Sequence, residues 1–280
     1  MGKSGVGFDF SIIGGDTRLQ YMAENLRERG YSLTGYGAAG ETVNSLAEAV
    51  CSSKNIVAGI PFSRDGKHIF SLTKHEDLTL DNLKNLLTEN HVLFAGCIGE
   101  DFLEFGRKNN ITMHDFMKDE KLTFFNTLAT AEGAIAEAIT RHPQNIHGSN
   151  ILVLGYGRCA KILAHKLSAL NASVTICARN DKALAEASAF GKLFFKIEEL
   201  KEHIGEFEYI FNTIPKPIIT DDILSKMDKS ALLMDIAPGG FNPKTAEKLN
   251  LNAVTAPGLP GRYAPKASGT ALANFLIHCS

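Results

Sequence analysis

The chain has 280 residues, of which 44% are hydrophobic, and carries a formal net charge of −2 from 29 lysines and arginines against 31 aspartates and glutamates. This is ordinary globular composition, long enough for two compact domains, and it excludes a collagen-like or unfolded chain. No basic field argues for nucleic acid, and no apolar run approaches the roughly 20 residues of a bilayer-spanning helix.

Residues 1–10 are glycine-rich and lack the apolar core of a secretory signal, so a cytoplasmic protein is expected. Cys51, Cys97, Cys159, Cys177 and Cys279 are scattered without a C-x-x-C pair, which reads as reduced thiols acting as small buried hydrophobes. The nine histidines form no H-x-x-x-H pattern, so no metal is expected.

The first strand is expected at residues 9–13, followed by the turn Gly14-Gly15-Asp16 and a helix over 19–28 stopped by Gly30. Further strands are expected at 31–34, 55–60 and 91–94, with helices at 42–50 and 81–87 between them. Arg64-Asp65-Gly66 reads as a tight turn into an extra strand at 67–72. Alternation of this kind predicts a doubly wound, flavodoxin-like N-terminal domain over 1–129. Arg18, at the start of the first helix beside Asp16, is either an anion-binding group or a surface charge.

A long helix at 130–141 is expected to link the halves, with the linking segment running to residue 145. Thr130 and Glu132 at its opening either face a ligand cleft or cap the helix. Residues 130–265 are then expected to form a Rossmann dinucleotide-binding domain, with residues 266–280 returning to the N-terminal domain as a helix.

The most telling stretch is ILVLGYGRCA, residues 151–160. A wholly apolar run suits a strand buried on both faces, Gly155 and Gly157 supply a tight turn and close backbone approach, and helical spacing of Ala160, Leu163, Ala164 and Leu167 follows. Gly155, Tyr156, Gly157 and Arg158 would then meet a pyrophosphate at a helix N-terminus. The next strand, 172–178, ends at Arg179 and Asn180, about 20 residues beyond the glycines, where an acidic side chain reads the NAD ribose and an arginine suits the NADP 2′-phosphate. Arg179 is either that reader or a solvated arginine opening a helix; NADP is the preferred cofactor, with NAD the alternative.

Later strands are expected at 192–195, 209–213, 231–236 and 253–255. The loops after them should border the ligand: Thr213, Ile214 and Pro215 after the fourth strand, and Asp235 and Pro238 after the fifth, where the aspartate holds a carboxamide or sugar hydroxyl or merely caps a helix. The loop 256–266 sets turn-forming residues before Arg262 and Lys266, and Ser268 opens the last helix, an arrangement that suits a carboxylate or is an ordinary connection with solvated charges.

Taken together, IIGGD-x-R (12–18), NTLATAEGAIAEAI (126–139), IHGSNILVLGYGRCA (146–160), CARN (177–180), NTIP (212–215) and APGLPGRYAPKASG (256–269) resemble the dipicolinate synthase A-subunit family across nearly the whole chain. That resemblance implies a two-domain NAD(P)-dependent oxidoreductase of spore formation, in the mother-cell cytoplasm. It implies oxidation of a dihydrodipicolinate-type intermediate of the lysine pathway to pyridine-2,6-dicarboxylate beside the flavoprotein-like B-subunit of dipicolinate synthase, within a homo- or hetero-oligomer. Arg18, Thr130, Lys266 and Ser268, with Arg262 as a further cation, are then candidates for anchoring the dicarboxylate substrate. The catalytic base stays open among His114, Glu132 and bound water. Two other readings stand beside it: a D-2-hydroxyacid dehydrogenase, disfavoured because residues 237–241 lack arginine, and a non-catalytic NADP-binding component of a complex.

Overall fold

The computed structural model describes residues 7–37 and 42–279. The chain divides into two compact units, Met1–Asn126 with Ala264–Ser280, and Thr127–Tyr263.

The first unit alternates β1 (Phe10–Ile13), α1 (Thr17–Glu28), β2 (Leu33–Tyr36), α2 (Leu46–Cys51), β3 (Asn55–Ala58), α3 (Leu80–Leu86), β4 (Val92–Ala95), α4 (Glu100–Lys108) and β5 (Thr112–Asp115). The long helix α5 (Glu120–Arg141) then leads into the second unit, with β6 (Asn150–Leu154), α6 (Arg158–Ala169), β7 (Ser173–Ala178), α7 (Asp181–Ala189), β8 (Leu193–Lys196), α8 (Leu200–His203) and β9 (Tyr209–Asn212). It continues through α9 (Asp221–Leu224), β10 (Leu232–Asp235), α10 (Pro243–Lys248), β11 (Asn252–Thr255) and α11 (Leu259–Tyr263), and α12 (Pro265–Cys279) ends the chain.

In the first unit all five strands are parallel in the order β2-β1-β3-β4-β5, which is the flavodoxin-like winding. Apolar clusters cover both faces of this sheet, as parallel strands require. On one of them α12 packs closely on α1: a Cβ added at Gly269 would come within 2.5 Å of the Arg18 carbonyl oxygen, so only glycine allows the two backbones this approach.

The structure departs from the sequence expectation in several places, the unexpected α4 among them. Residues 67–72 form no strand but only isolated bridges, Ser63 with Ile69, His68 with Thr79 and Gly15 with Ser71. β5 was not expected, because Thr112-Met113-His114-Asp115 at the sheet edge carries no apolar signature. α5 begins ten residues earlier than its amphipathic pattern suggests, because the Asp119 carboxylate accepts from the Leu122 N–H at 2.8 Å and starts the helix there. Of the cysteines, Cys177 is buried and Cys159 half-buried, whereas Cys51, Cys97 and Cys279 are exposed, so the buried reading fails for those three.

In the second unit six parallel strands run β8-β7-β6-β9-β10-β11, the doubly wound dinucleotide-binding order, with its switch point between β6 and β9. Ile151 and Val153 face one core cluster, and Leu152 and Leu154 the other, which is why this strand reads as unbroken apolar sequence.

Candidate active site

The site of the second unit is built at the carboxyl end of β6. Gly155 takes φ +93°, and a Cβ there would lie 2.8 Å from Thr213 Oγ1 and 3.0 Å from Ile214 Cγ1, so the turn closes against the loop after β9. Gly157 is different: its φ is −78°, and a Cβ there would meet no atom within 4 Å. Gly157 is the N-cap of α6, makes no side-chain cap bond and is followed by no acidic residue in the first turn. The positive dipole end of α6 therefore has no side-chain cap from Gly157 and favours an anion, whereas the neighbouring α7 is closed by Asn180 Oδ1 accepting from the Lys182 N–H at 2.8 Å.

This turn opens on a cavity of about 560 Å³, within the range of a cofactor site. Gly155, Tyr156, Gly157 and Arg158 form its floor, Arg179 and Asn180 border it after β7, and Thr213, Ile214 and Pro215 border it after β9. Cys159, Ala178, Ala183, Ile197, Lys216 and Ile218 complete the lining, none of them singled out by the sequence reading. The signal for Lys216 was present as a cation held between Pro215 and Pro217, but nothing in one dimension says which cavity that loop overhangs. Among the described residues no aspartate or glutamate lines the cavity. The uncapped helix start, the open space over Gly157 and the cationic, carboxylate-free lining fit a dinucleotide.

Asp235 and Pro238 do not join this lining. The Asp235 carboxylate is buried and accepts from Asn212 Nδ2 at 2.7 Å and from the N–H groups of Gly239 and Gly240 at 3.0 and 2.9 Å, so it ties the loop after β10 and is not turned to a sugar or carboxamide. Pro238 is exposed beside that loop. The Thr213 hydroxyl is likewise committed, donating to the Leu154 carbonyl at 2.7 Å.

Of the candidate substrate anchors, Arg18 is buried, with Nε and Nη2 bound to the Asp16 carboxylate at 2.9 and 2.7 Å and Nη2 also donating to the Ile60 carbonyl. Ser268 on α12 reaches the same small cavity of about 20 Å³, room for about one water, and its buried Oγ has no hydrogen-bond partner among the described residues. Lys266 is exposed in the first turn of α12, and Thr130 is half-buried on α5. Arg262 is not available as an anchor: with Arg141 it grips the buried Glu137 carboxylate.

Glu132 is exposed and its carboxylate meets Lys166 Nζ at 2.8 Å, in the last turn of α6 and therefore at the end of that helix remote from the glycine turn. The His114 ring stacks on Phe94 with centroids 4.9 Å apart, and burial holds its pKa below the ordinary histidine value.

A parallel six-stranded sheet whose switch point carries this turn defines a nucleotide-binding dehydrogenase domain, and residues 121–246 match the family described as D-isomer specific 2-hydroxyacid dehydrogenase, NAD binding domain. The chain is a pyridine nucleotide-dependent oxidoreductase. Residues 9–117 match the N-terminal domain of the dipicolinate synthase A-subunit. The chain is 31% identical to the dipicolinate synthase A-subunit of Bacillus subtilis (strain 168), over 96% of this chain and 95% of that one. Its fold superposes on the crystal structure of the dipicolinate synthase A-subunit from Bacillus halodurans with a TM-score of 0.83 and 26% identity, covering 99% of each chain. On the crystal structure of the corresponding dipicolinate synthase chain from Bacillus subtilis the TM-score is 0.81 with 30% identity, covering 98% of this chain and 96% of that one. The chain belongs to the dipicolinate synthase A-subunit family. Among the described residues no helix is long and apolar enough to cross a membrane.

Proposed function

We propose that this oxidoreductase converts a dihydrodipicolinate-type ring to pyridine-2,6-dicarboxylate with NADP, beside a flavoprotein-like B-subunit in the cytoplasm of a sporulating mother cell. The observation that carries this reading is the carboxylate-free, cation-lined cavity at the switch point, in a chain of this family.

When bound, the nicotinamide accepts a hydride from a ring carbon of the substrate. The chain's own work is to hold and orient. The first-turn N–H groups of α6 take the pyrophosphate, Gly157 leaves it room, and Arg179 answers the 2′-phosphate. Arg18, kept in place by Asp16, is proposed with Lys266, Ser268 and Thr130 to hold the substrate carboxylates. The proton lost from the neighbouring ring atom goes to bound water or to His114, whose lowered pKa keeps its imidazole neutral, as a base requires. Aromatic stabilisation of the product drives the step, so correct positioning outweighs base strength.

The test is incubation of the purified chain with the lysine-pathway aldol product and NADP, followed by the ultraviolet absorption of the pyridine ring and of reduced nicotinamide. Both should rise together. Absence of product with the B-subunit also present rejects the proposal.

A further inference from the structure

Sequence spacing offers the 2′-phosphate one candidate reader, Arg179, and the cavity offers it a second. Lys216 follows the β9 loop and is set between two prolines, with its own N–H donating to the Ile214 carbonyl and its carbonyl accepting from the Ile218 N–H, both at 2.8 Å. Proline fixes φ on either side and restricts the residue before it, so these two successive tight turns hold the backbone of Lys216 in one conformation at the cavity edge.

The lining says which half of a dinucleotide lies there. Ile197 follows β8, beyond β7 and on the far side of β6 from β10, while Ile218 follows the β9 loop; both are half-buried against one core cluster and both line the cavity. Ile197 on the β8 side and Ile218 on the β9 side give the cavity two apolar walls that suit a flat purine, and Arg179 and Lys216 border the same cavity. Both cations are exposed, and neither has an ion-pair partner among the described residues. Three other lysines of the same unit are paired: Lys161 with Glu186 at 2.6 Å, Lys196 with Asp181 at 2.9 Å and Lys201 with Asp222 at 2.6 Å. Two unpaired cations on a carboxylate-free wall call for a dianionic group beside the purine.

We infer that Arg179 and Lys216, from loops of two different strands, form a two-cation clamp for the 2′-phosphate of the adenosine ribose. This inference rests on the dinucleotide reading of the cavity and adds to it the residue that sets cofactor choice. The guanidinium grips phosphate oxygens in a fork while the ammonium acts as a point charge on a rigid loop.

Calorimetric titration of the full chain with NADP, NAD, adenosine 2′,5′-bisphosphate and adenosine 5′-phosphate tests it, using wild type, Lys216→Ala, Lys216→Arg, Arg179→Ala and the double variant. Lys216→Ala should weaken NADP and the bisphosphate at least about tenfold and leave NAD and the monophosphate unchanged. Lys216→Arg should retain most of the preference, and the double variant should bind NADP and NAD alike. Equal loss of NAD and NADP in Lys216→Ala would make Lys216 a pyrophosphate contact and overturn the clamp, as would no loss at all. A wild type that binds both nucleotides equally overturns the clamp while leaving the dinucleotide reading intact; a wild type that binds neither overturns both.

Discussion

Asn212 Nδ2 donates to Asp235 Oδ1 at 2.7 Å, joining the ends of two adjacent strands behind the cofactor cavity. The same Asn212 side chain holds Ile214 by its carbonyl and its N–H, both at 3.0 Å, so the cavity wall hangs from a buried carboxylate outside the cavity lining. Gly240 is part of this joint, because a Cβ there would fall 2.1 Å from Asn212 Nδ2.

Asp235→Ala removes the acceptor of the buried Asn212 amide and Gly240 N–H and of the exposed Gly239 N–H, and should cost about 1–3 kcal/mol. Asp235→Asn keeps one accepting oxygen and should cost less. Urea denaturation orders the three proteins; equal midpoints for wild type and Asp235→Ala would show that the joint carries no stability.

The two glycines of the turn should separate folding from binding. At Gly155 an alanine meets a positive φ and the Thr213 hydroxyl, and should destabilise by about 1–3 kcal/mol. At Gly157 the backbone accepts any residue and the Cβ enters open space, so stability should hold within about 0.5 kcal/mol. Nucleotide affinity of Gly157→Ala should nevertheless fall at least about tenfold, since the methyl occupies the phosphate's approach. Undiminished affinity would mean that the phosphate lies elsewhere.

How far these features were legible in sequence depends on whether their cause is local. Ile151–Leu154 and the glycines after it announce a buried strand and an anion turn, because burial on both faces and the turn's φ demand those residue types wherever the chain lies. β5 was hidden because an edge strand is spared that demand, and Thr112-Met113-His114-Asp115 reads as a loop. Asp119 did mark the true start of α5, but as a single capping side chain outweighed by the stronger periodic pattern further on. Asp235 looked like a ligand group because sequence shows a carboxylate at a strand end and not the three donors folded around it. Lys216 was missed for the converse reason, that only the winding brings its loop to the cavity of Arg179.

Ser268 offers a test of the proposed carboxylate anchor that a merely structural serine would fail. Its Oγ is buried without a partner, so Ser268→Ala should leave the fold as stable or more stable by about 1 kcal/mol. If the hydroxyl donates to the substrate, KM should rise several-fold with kcat kept. A thermal melt and steady-state kinetics measure the two; unchanged KM removes Ser268 from the site.

Glu137 supplies a pH signature. Burial pushes its pKa up, but hydrogen bonds from Arg141 and Tyr263 and the charges of Arg141 and Arg262 outweigh this and hold it below its ordinary value of 4.5. A folded-state pKa below the unfolded one means that the unfolded chain binds more protons in that interval, so the stabilisation is complete above about pH 4.5 and is lost as pH falls through the folded value. Glu137→Gln should therefore cost about 1–3 kcal/mol at pH 7, less than for a fully buried pair because the two arginine side chains are 43% and 49% exposed. The difference from wild type should shrink as pH falls below about 4.5, where wild type, but not the variant, takes up this proton. Urea denaturation across that range checks it, and a difference that stays constant with pH would show that Glu137 stabilises the α5 and α11 contact by shape and not by charge.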